Sequence, residues 1–123
     1  MARILIVDDG DSDRLLEQTI LVNAGHEVTV ASSGEQALMY YLELGVDVVV
    51  TDLHMPEVDG FELIAMLRVL LPCPAIIAVS SMGQRQLDLA RELGAQIALH
   101  KPVTAAVLSQ AVDDVLRQEA IAG

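Results

Sequence analysis

Apolar and polar positions along this chain fall into blocks whose period switches repeatedly between that of a buried strand and that of a helix. Ile4 to Val7 is fully apolar and reads as a short strand. From Asp11 to Ala24, Leu15, Leu16, Thr19, Ile20 and Val22 are spaced for one buried helical face, with Gly25 as the stop. Val28 to Ala31 reads as a second strand, and Ser33 with Gln36 three residues on resembles a capping box opening a helix that ends at Gly45. Asp47 to Thr51 carries the Val triplet of a sheet centre and runs into a polar, Pro-bearing loop from Asp52 to Asp59. Asp59 caps a helix expected to continue to about Leu71, where Pro72, Cys73 and Pro74 break it. Ala75 to Val79 is a fourth strand, Gln84 to Leu93 a helix stopped by Gly94, and Gln96 to Leu99 a fifth strand. Thr104 caps a last helix to about Gln118.

Five strands alternating with five helices require right-handed crossovers and a parallel sheet covered on both faces. Strands one, three and four are the most apolar and hence central, which suits the order 2-1-3-4-5 of the flavodoxin-like, doubly wound α/β class. The length of 123 residues is that of one domain, residues 1–123, with no internal repeat or linker. With 53% hydrophobic residues but no Trp, one Phe and two Tyr, the bulk lies in Val, Leu, Ile and Ala, as strands buried on both faces require.

Charge narrows the partners. A formal net charge of −11 argues against direct nucleic-acid binding, which needs Lys and Arg clusters, and favours a cation or a basic protein surface. The single Cys73 forms no internal disulfide, no secretory signal opens the chain, and no apolar run reaches the roughly 20 residues of a membrane helix. A cytoplasmic location without membrane contact is expected.

The candidate chemistry lies where strands end. Asp8 and Asp9 end the first strand, Asp52 the third, Ser80 the fourth and Lys101 the fifth. In a parallel sheet these ends share one crevice at the carboxyl edge. Three clustered acids are costly unless a cation neutralises them, and Mg2+, which takes oxygen ligands and keeps several waters, suits Asp8, Asp9 and Asp52. Zinc does not, since the three His are scattered. A carboxylate is a competent nucleophile towards phosphorus, and Asp52 is placed to attack while Lys101 and the Ser80 hydroxyl surround the entering group. Taken singly, Asp8 and Asp9 also read as helix-entry caps, Lys101 as a solvated lysine and His54 as an exposed loop residue. His26 reads as a turn residue and Cys73 as structural.

The run Ile4-Leu5-Ile6-Val7-Asp8-Asp9, the run Asp52-Leu53-His54-Met55-Pro56 closing on Asp59-Gly60, the strand ending at Ser80 and the pair Lys101-Pro102 resemble the receiver domain of bacterial two-component response regulators. The resemblance spans essentially the whole chain and implies a CheY-like fold. It implies that Asp52 accepts a phosphoryl group from a histidine kinase or phosphotransfer protein. Asp8, Asp9, Asp52 and the backbone carbonyl of His54 would hold Mg2+. Ser80 and Lys101 would contact the phosphoryl oxygens, the Lys101–Pro102 bond would be cis, and a downstream output domain or protein would read the state. It also implies a partner face, and a possible homodimer, formed by the fourth helix, fifth strand and fifth helix, where Arg85, Arg91, Arg117, Asp88, Asp113 and Asp114 provide mixed charge. Such a chain is a phosphoacceptor rather than an enzyme acting on other substrates.

Departures from that pattern keep two other readings open. Ala98 stands where receivers usually carry Tyr or Phe three residues before the lysine, Gly10 replaces the acid or amide that often follows the acidic pair, and His54 is unusual beside the acceptor. A receiver-like interaction module that does not switch is favoured by Ala98. A metal-dependent aspartyl phosphatase would need a general acid two residues after the nucleophile, where His54 stands, and a substrate cap for which the chain has no room.

Overall fold

The computed structural model describes residues 1–122, with side chains described as far as Glu119. In chain order the elements are β1 (Arg3–Val7), α1 (Asp11–Asn23), β2 (Glu27–Ala31), α2 (Gly34–Leu44), β3 (Val48–Asp52), α3 (Gly60–Arg68), β4 (Ala75–Ser80), α4 (Gln84–Leu93), β5 (Ile97–His100) and α5 (Ala105–Ala122). All strand pairings are parallel and the sheet order is β2-β1-β3-β4-β5, as the apolar weight of the strands requires.

Successive strand residues alternate between two cores because β side chains point to opposite faces. Leu5, Val7, Val49, Ile76 and Ala78 meet Ala37 and Tyr41 of α2, Leu63 and Leu67 of α3, and Leu87 and Ala90 of α4. Ile4, Ile6, Val48, Val50, Ile77 and Val79 meet Ile20 and Leu21 of α1 and Leu108, Val112 and Val115 of α5. Each Val, Leu or Ile among them contributes about 1.5–3 kcal/mol on burial. These cores hold β1, β3 and β4 rigidly side by side, and their carboxyl ends form one rim.

The helices begin largely as their caps dictate. Ser33 accepts a hydrogen bond from the Gln36 N–H, but the returning Gln36 Oε1 accepts from Ser32 N–H rather than from Ser33, so the box closes one residue early. Asp59 Oδ1 accepts from Glu62 N–H at 2.9 Å and Thr104 Oγ1 from Val107 N–H at 3.2 Å. Gly94, at φ +133, ends α4 in a conformation that residues with a Cβ rarely adopt.

Two expectations fail. α3 stops at Arg68 rather than near Leu71, because Leu71 precedes Pro72 and is steered from the helical region, leaving Val69 and Leu71 exposed. The buried face of α1 is also rotated from the expected one. Glu17, Ile20 and Leu21 are buried, whereas Leu15, Leu16, Thr19 and Val22 are exposed. Polar anchors in its first turn set this rotation: Arg14 Nη1 donates to the Asp8 carbonyl at 2.9 Å and Asp13 accepts from Lys101 at 2.9 Å. With Asp13 turned towards the sheet, the residue one helical turn later is Glu17, and the leucines follow on the outer side.

One glycine ties the fold to the rim. Gly60 opens α3 with its N–H on the Leu53 carbonyl at 3.0 Å, and a Cβ there would lie 2.6 Å from Leu53 Cα and closer still to the Asp52 carbonyl oxygen. Both neighbours are backbone, so neither yields as a flexible side chain does. Gly60→Ala is therefore expected to lower the unfolding free energy by about 2–3 kcal/mol. Gly83→Ala, whose added methyl meets only the end of Gln86 at 3.4 Å, should cost less than about 1 kcal/mol. Urea unfolding of the two variants checks this, and equal losses would contradict it.

Candidate functional site

The register of the sheet places the strand ends together. Val7 neighbours Thr51, Asp52 neighbours Val79, and Ser80 neighbours His100, so the residues that follow emerge at one edge. The resulting cleft is lined by Asp8, Asp9, Gly10, Asp13, Asp52, His54, Ser81, Lys101 and Pro102. Asp8 and Asp52 are buried and Asp9 is exposed at the mouth. Each of the three offers a carboxylate oxygen within 4.8 Å of the other two. An all-oxygen set of this kind is the chemistry a hard divalent cation requires.

Local hydrogen bonds fix each acid. Asp8 Oδ1 accepts from Gly10 N–H at 2.8 Å while its Oδ2 takes Lys101 Nζ at 3.0 Å. Asp52 Oδ1 accepts from Leu53 N–H at 2.8 Å, and its Oδ2 lies 3.6 Å from Lys101 Nζ. The lysine is anchored through its own backbone, since Lys101 N–H donates to the Ser80 carbonyl at 2.9 Å, and the Lys101–Pro102 bond is cis.

Burial raises the Asp52 carboxyl above the usual carboxylate range, with the Asp8 charge adding to it, and this outweighs the opposing Lys101 ammonium and the Leu53 and His54 N–H groups. Burial alone would lower the Lys101 ammonium, but hydrogen bonds to Asp13 and Asp8 and the charges of Asp52 and Asp8 prevail and raise it. Lys101 therefore stays charged throughout the physiological range.

Of the residues expected at the site, Asp8, Asp9, Asp52, His54 and Lys101 line the cleft. The Ser80 side chain does not: it is fully buried, and its Oγ accepts from Met82 N–H at 3.0 Å, while Ser81 reaches the cleft. His100 is exposed and lies outside the lining, as strand alternation implies. Three residues of α1 went unforeseen. Asp13 joins Lys101, Arg14 braces the Asp8 carbonyl, and Glu17 is buried to 2% exposure behind the acids. The signal was the spacing Asp9, Asp13, Glu17 at helical steps of four, which competes with the leucines for the inner face.

The family model for the response regulator receiver domain matches residues 4–113. The chain belongs to the response regulator receiver family. It is 36% identical over 116 residues to the chemotaxis protein CheY of Bacillus subtilis, covering 93% of this chain and 97% of that one. The crystal structure of a response regulator receiver domain protein from Clostridium thermocellum superposes with a TM-score of 0.93 at 31% identity, covering 100% of both chains. The sensory/regulatory protein RpfC of Xanthomonas campestris is 31% identical over 118 residues, and the match spans 92% of this receiver but 16% of that protein. The chain is thus a receiver of two-component signal transduction, with the acidic cluster of that family in place.

Glu17 gives this receiver a pH dependence of its own. Burial, with the charges of Asp8, Asp13 and Asp52 adding and Lys101 opposing, pushes its carboxyl up to about 8. Because the folded state then binds a proton that the unfolded chain has released, stability falls as pH rises from about 4.5 to about 8 and is flat above. Glu17→Gln should differ little from wild type at pH ~5 and exceed it in unfolding free energy by on the order of 3–5 kcal/mol at pH ~9. Urea titrations at the two pH values check this; a gap that does not change with pH contradicts it.

Proposed function

We propose that Asp52 accepts a phosphoryl group from a phosphohistidine of a kinase or phosphotransfer protein. An Asp52 carboxylate oxygen bonds to phosphorus as the phosphorus–nitrogen bond breaks, and the electron pair leaves on the imidazole. The observation that carries this reading is the convergence of Asp8, Asp9 and Asp52 on one cleft with Lys101 Nζ held against two of them. Asp8, Asp9, Asp52 and the His54 carbonyl would hold Mg2+, which when bound supplies charge neutralisation for the incoming phosphoryl oxygens. Lys101 supplies the fixed positive charge on the other side, and its burial keeps that charge concentrated.

Ser80 supplies the response. To reach a phosphoryl oxygen its hydroxyl, which accepts from Met82 N–H, would have to turn outward, and the turn between β4 and α4 would follow it. This route does not need an aromatic side chain at position 98, where Ala98 packs partly buried against the core shared by α2, α3 and α4. The small Ala98 also supports a second reading, a receiver-like module that binds its partner regardless of phosphorylation. In both, the unit of function is the receiver formed by residues 1–123, a phosphoacceptor rather than an enzyme for other substrates. Among the described residues no helix is long and apolar enough to cross a membrane, and a cytoplasmic setting alongside a histidine kinase is the reading we adopt.

An output domain or protein, or a second copy of the chain, would read the state on the face of α4, β5 and α5. Leu89 and Val107 are exposed there, while Asp114 and Arg117 pair with each other at 2.9 Å. Other charges of α4 and α5 include Arg85, Asp88, Arg91, Glu92 and Asp113, with Asp88 accepting from Gln84 Nε2 at 2.8 Å.

Incubation with acetyl phosphate and magnesium followed by intact-mass measurement tests the assignment. One phosphoryl group is expected on wild type, none on Asp52→Asn, and none on wild type when magnesium is removed by chelation. An adduct that persists in Asp52→Asn would contradict it. Binding of an output partner that is the same before and after phosphorylation would favour the second reading.

A further inference from the structure

Lys101 Nζ is held by three carboxylates at unequal distances: Asp13 at 2.9 Å, Asp8 at 3.0 Å and Asp52 at 3.6 Å. Two of the three ammonium protons are taken by hydrogen bonds to Asp13 and Asp8, while Asp52 is close enough for an ion pair but not for a hydrogen bond, so the acceptor has the weakest hold. Asp8 and Asp52 belong to the cluster that would share a cation, whereas Asp13 lies outside it. With Asp8 and Asp52 in the set that would hold Mg2+, Asp13 is the carboxylate whose charge would remain for the lysine. Gly10 borders both carboxylates: a Cβ there would press on Asp8 Oδ1 at 3.3 Å but meet Asp13 Oδ2 at an ordinary 3.8 Å, so the position of Asp13 is set by Lys101 rather than by Gly10. The side chain of Asp13 is half exposed, so its departure from Lys101 breaks no core packing.

We propose that Asp13 holds Lys101 in the resting receiver and releases it when a phosphoryl group enters, making Asp13 a positioning residue that restrains phosphoryl uptake by Asp52. This rests on Asp52 being the acceptor. Drawing Lys101 towards a phosphoryl oxygen on Asp52 works against the Asp13 hold, and loading the site brings a dianion near a second fixed negative charge. Both effects slow uptake. In an amide of the same shape the charge repulsion is lost and the hold on Lys101 falls to that of a hydrogen bond to a neutral oxygen.

Phosphoryl uptake from acetyl phosphate at saturating magnesium, followed by intact mass, compares wild type, Asp13→Asn, Asp13→Glu and Asp52→Asn, with thermal unfolding reporting the fold. Asp13→Asn should take up phosphoryl about fivefold faster, the worth of an ion pair with one half-exposed partner, and Asp13→Glu should stay within about twofold of wild type. In the unphosphorylated proteins the Lys101 ammonium protons, read by NMR, should exchange with water faster in Asp13→Asn. Uptake by Asp13→Asn that is equal to or slower than wild type, or unchanged ammonium exchange, overturns this inference while leaving Asp52 as the acceptor, provided wild type is modified and Asp52→Asn is not. A wild type that takes up no phosphoryl group overturns both.

Discussion

The site is organised by the mismatch between one ammonium and the carboxylates around it. Lys101 touches Asp8, Asp13 and Asp52, with Asp9 at the mouth and Glu17 buried behind. Two unit negative charges separated by the 4.8 Å that spans the cluster repel by about 3 kcal/mol at an effective dielectric of 20. A single lysine cannot offset several such pairs. The chain meets the surplus in two ways: Glu17 stays protonated near neutral pH, and Asp8, Asp9 and Asp52 are left as a set of oxygens suited to a cation. On the proposed reading, receptivity to magnesium and then to a phosphoryl group would follow from charge that the fold itself leaves unbalanced.

Such repulsion persists only because the framework does not yield. The acids are carried on the ends of β1 and β3, whose side chains are buried in two separate cores, so relaxing the cluster would mean sliding whole strands. Small movements are instead available where hydrogen bonds, not packing, hold the groups. The Ser80–Met82 contact and the Asp13–Lys101 pair are of this kind, one leading into the turn before α4 and the other into α1. On the proposed reading, a perturbation at Asp52 would pass outward along these two contacts rather than through a side chain at position 98.

Strand order and the site's main acids were legible in the sequence because they depend on features that local pattern records: apolar runs on central strands and polar residues where those runs stop. Helix starts were legible from Ser33, Asp59 and Thr104 for the same reason. The rotation of α1 was not. Its leucines satisfy a helical period as well as Glu17, Ile20 and Leu21 do, and the choice between the two faces is made by Lys101, 88 positions from Asp13. Reading hydrophobicity alone placed Leu15 and Leu16 inside, whereas the structure spends that space on a carboxyl. The inward hydrogen bond of Ser80 was hidden too, since the sequence shows which residue ends β4 but not which N–H its hydroxyl accepts from.

A crystal structure of the chain with beryllium fluoride and magnesium tests the central claim, that the unbalanced charge at this rim exists to receive a phosphoryl group on Asp52. The account predicts beryllofluoride bonded to an Asp52 carboxylate oxygen, the cation among Asp8, Asp9 and Asp52, and Lys101 Nζ turned from Asp13 to a fluorine. Beryllofluoride absent from Asp52, with Lys101 still shared between Asp8 and Asp13, would contradict it.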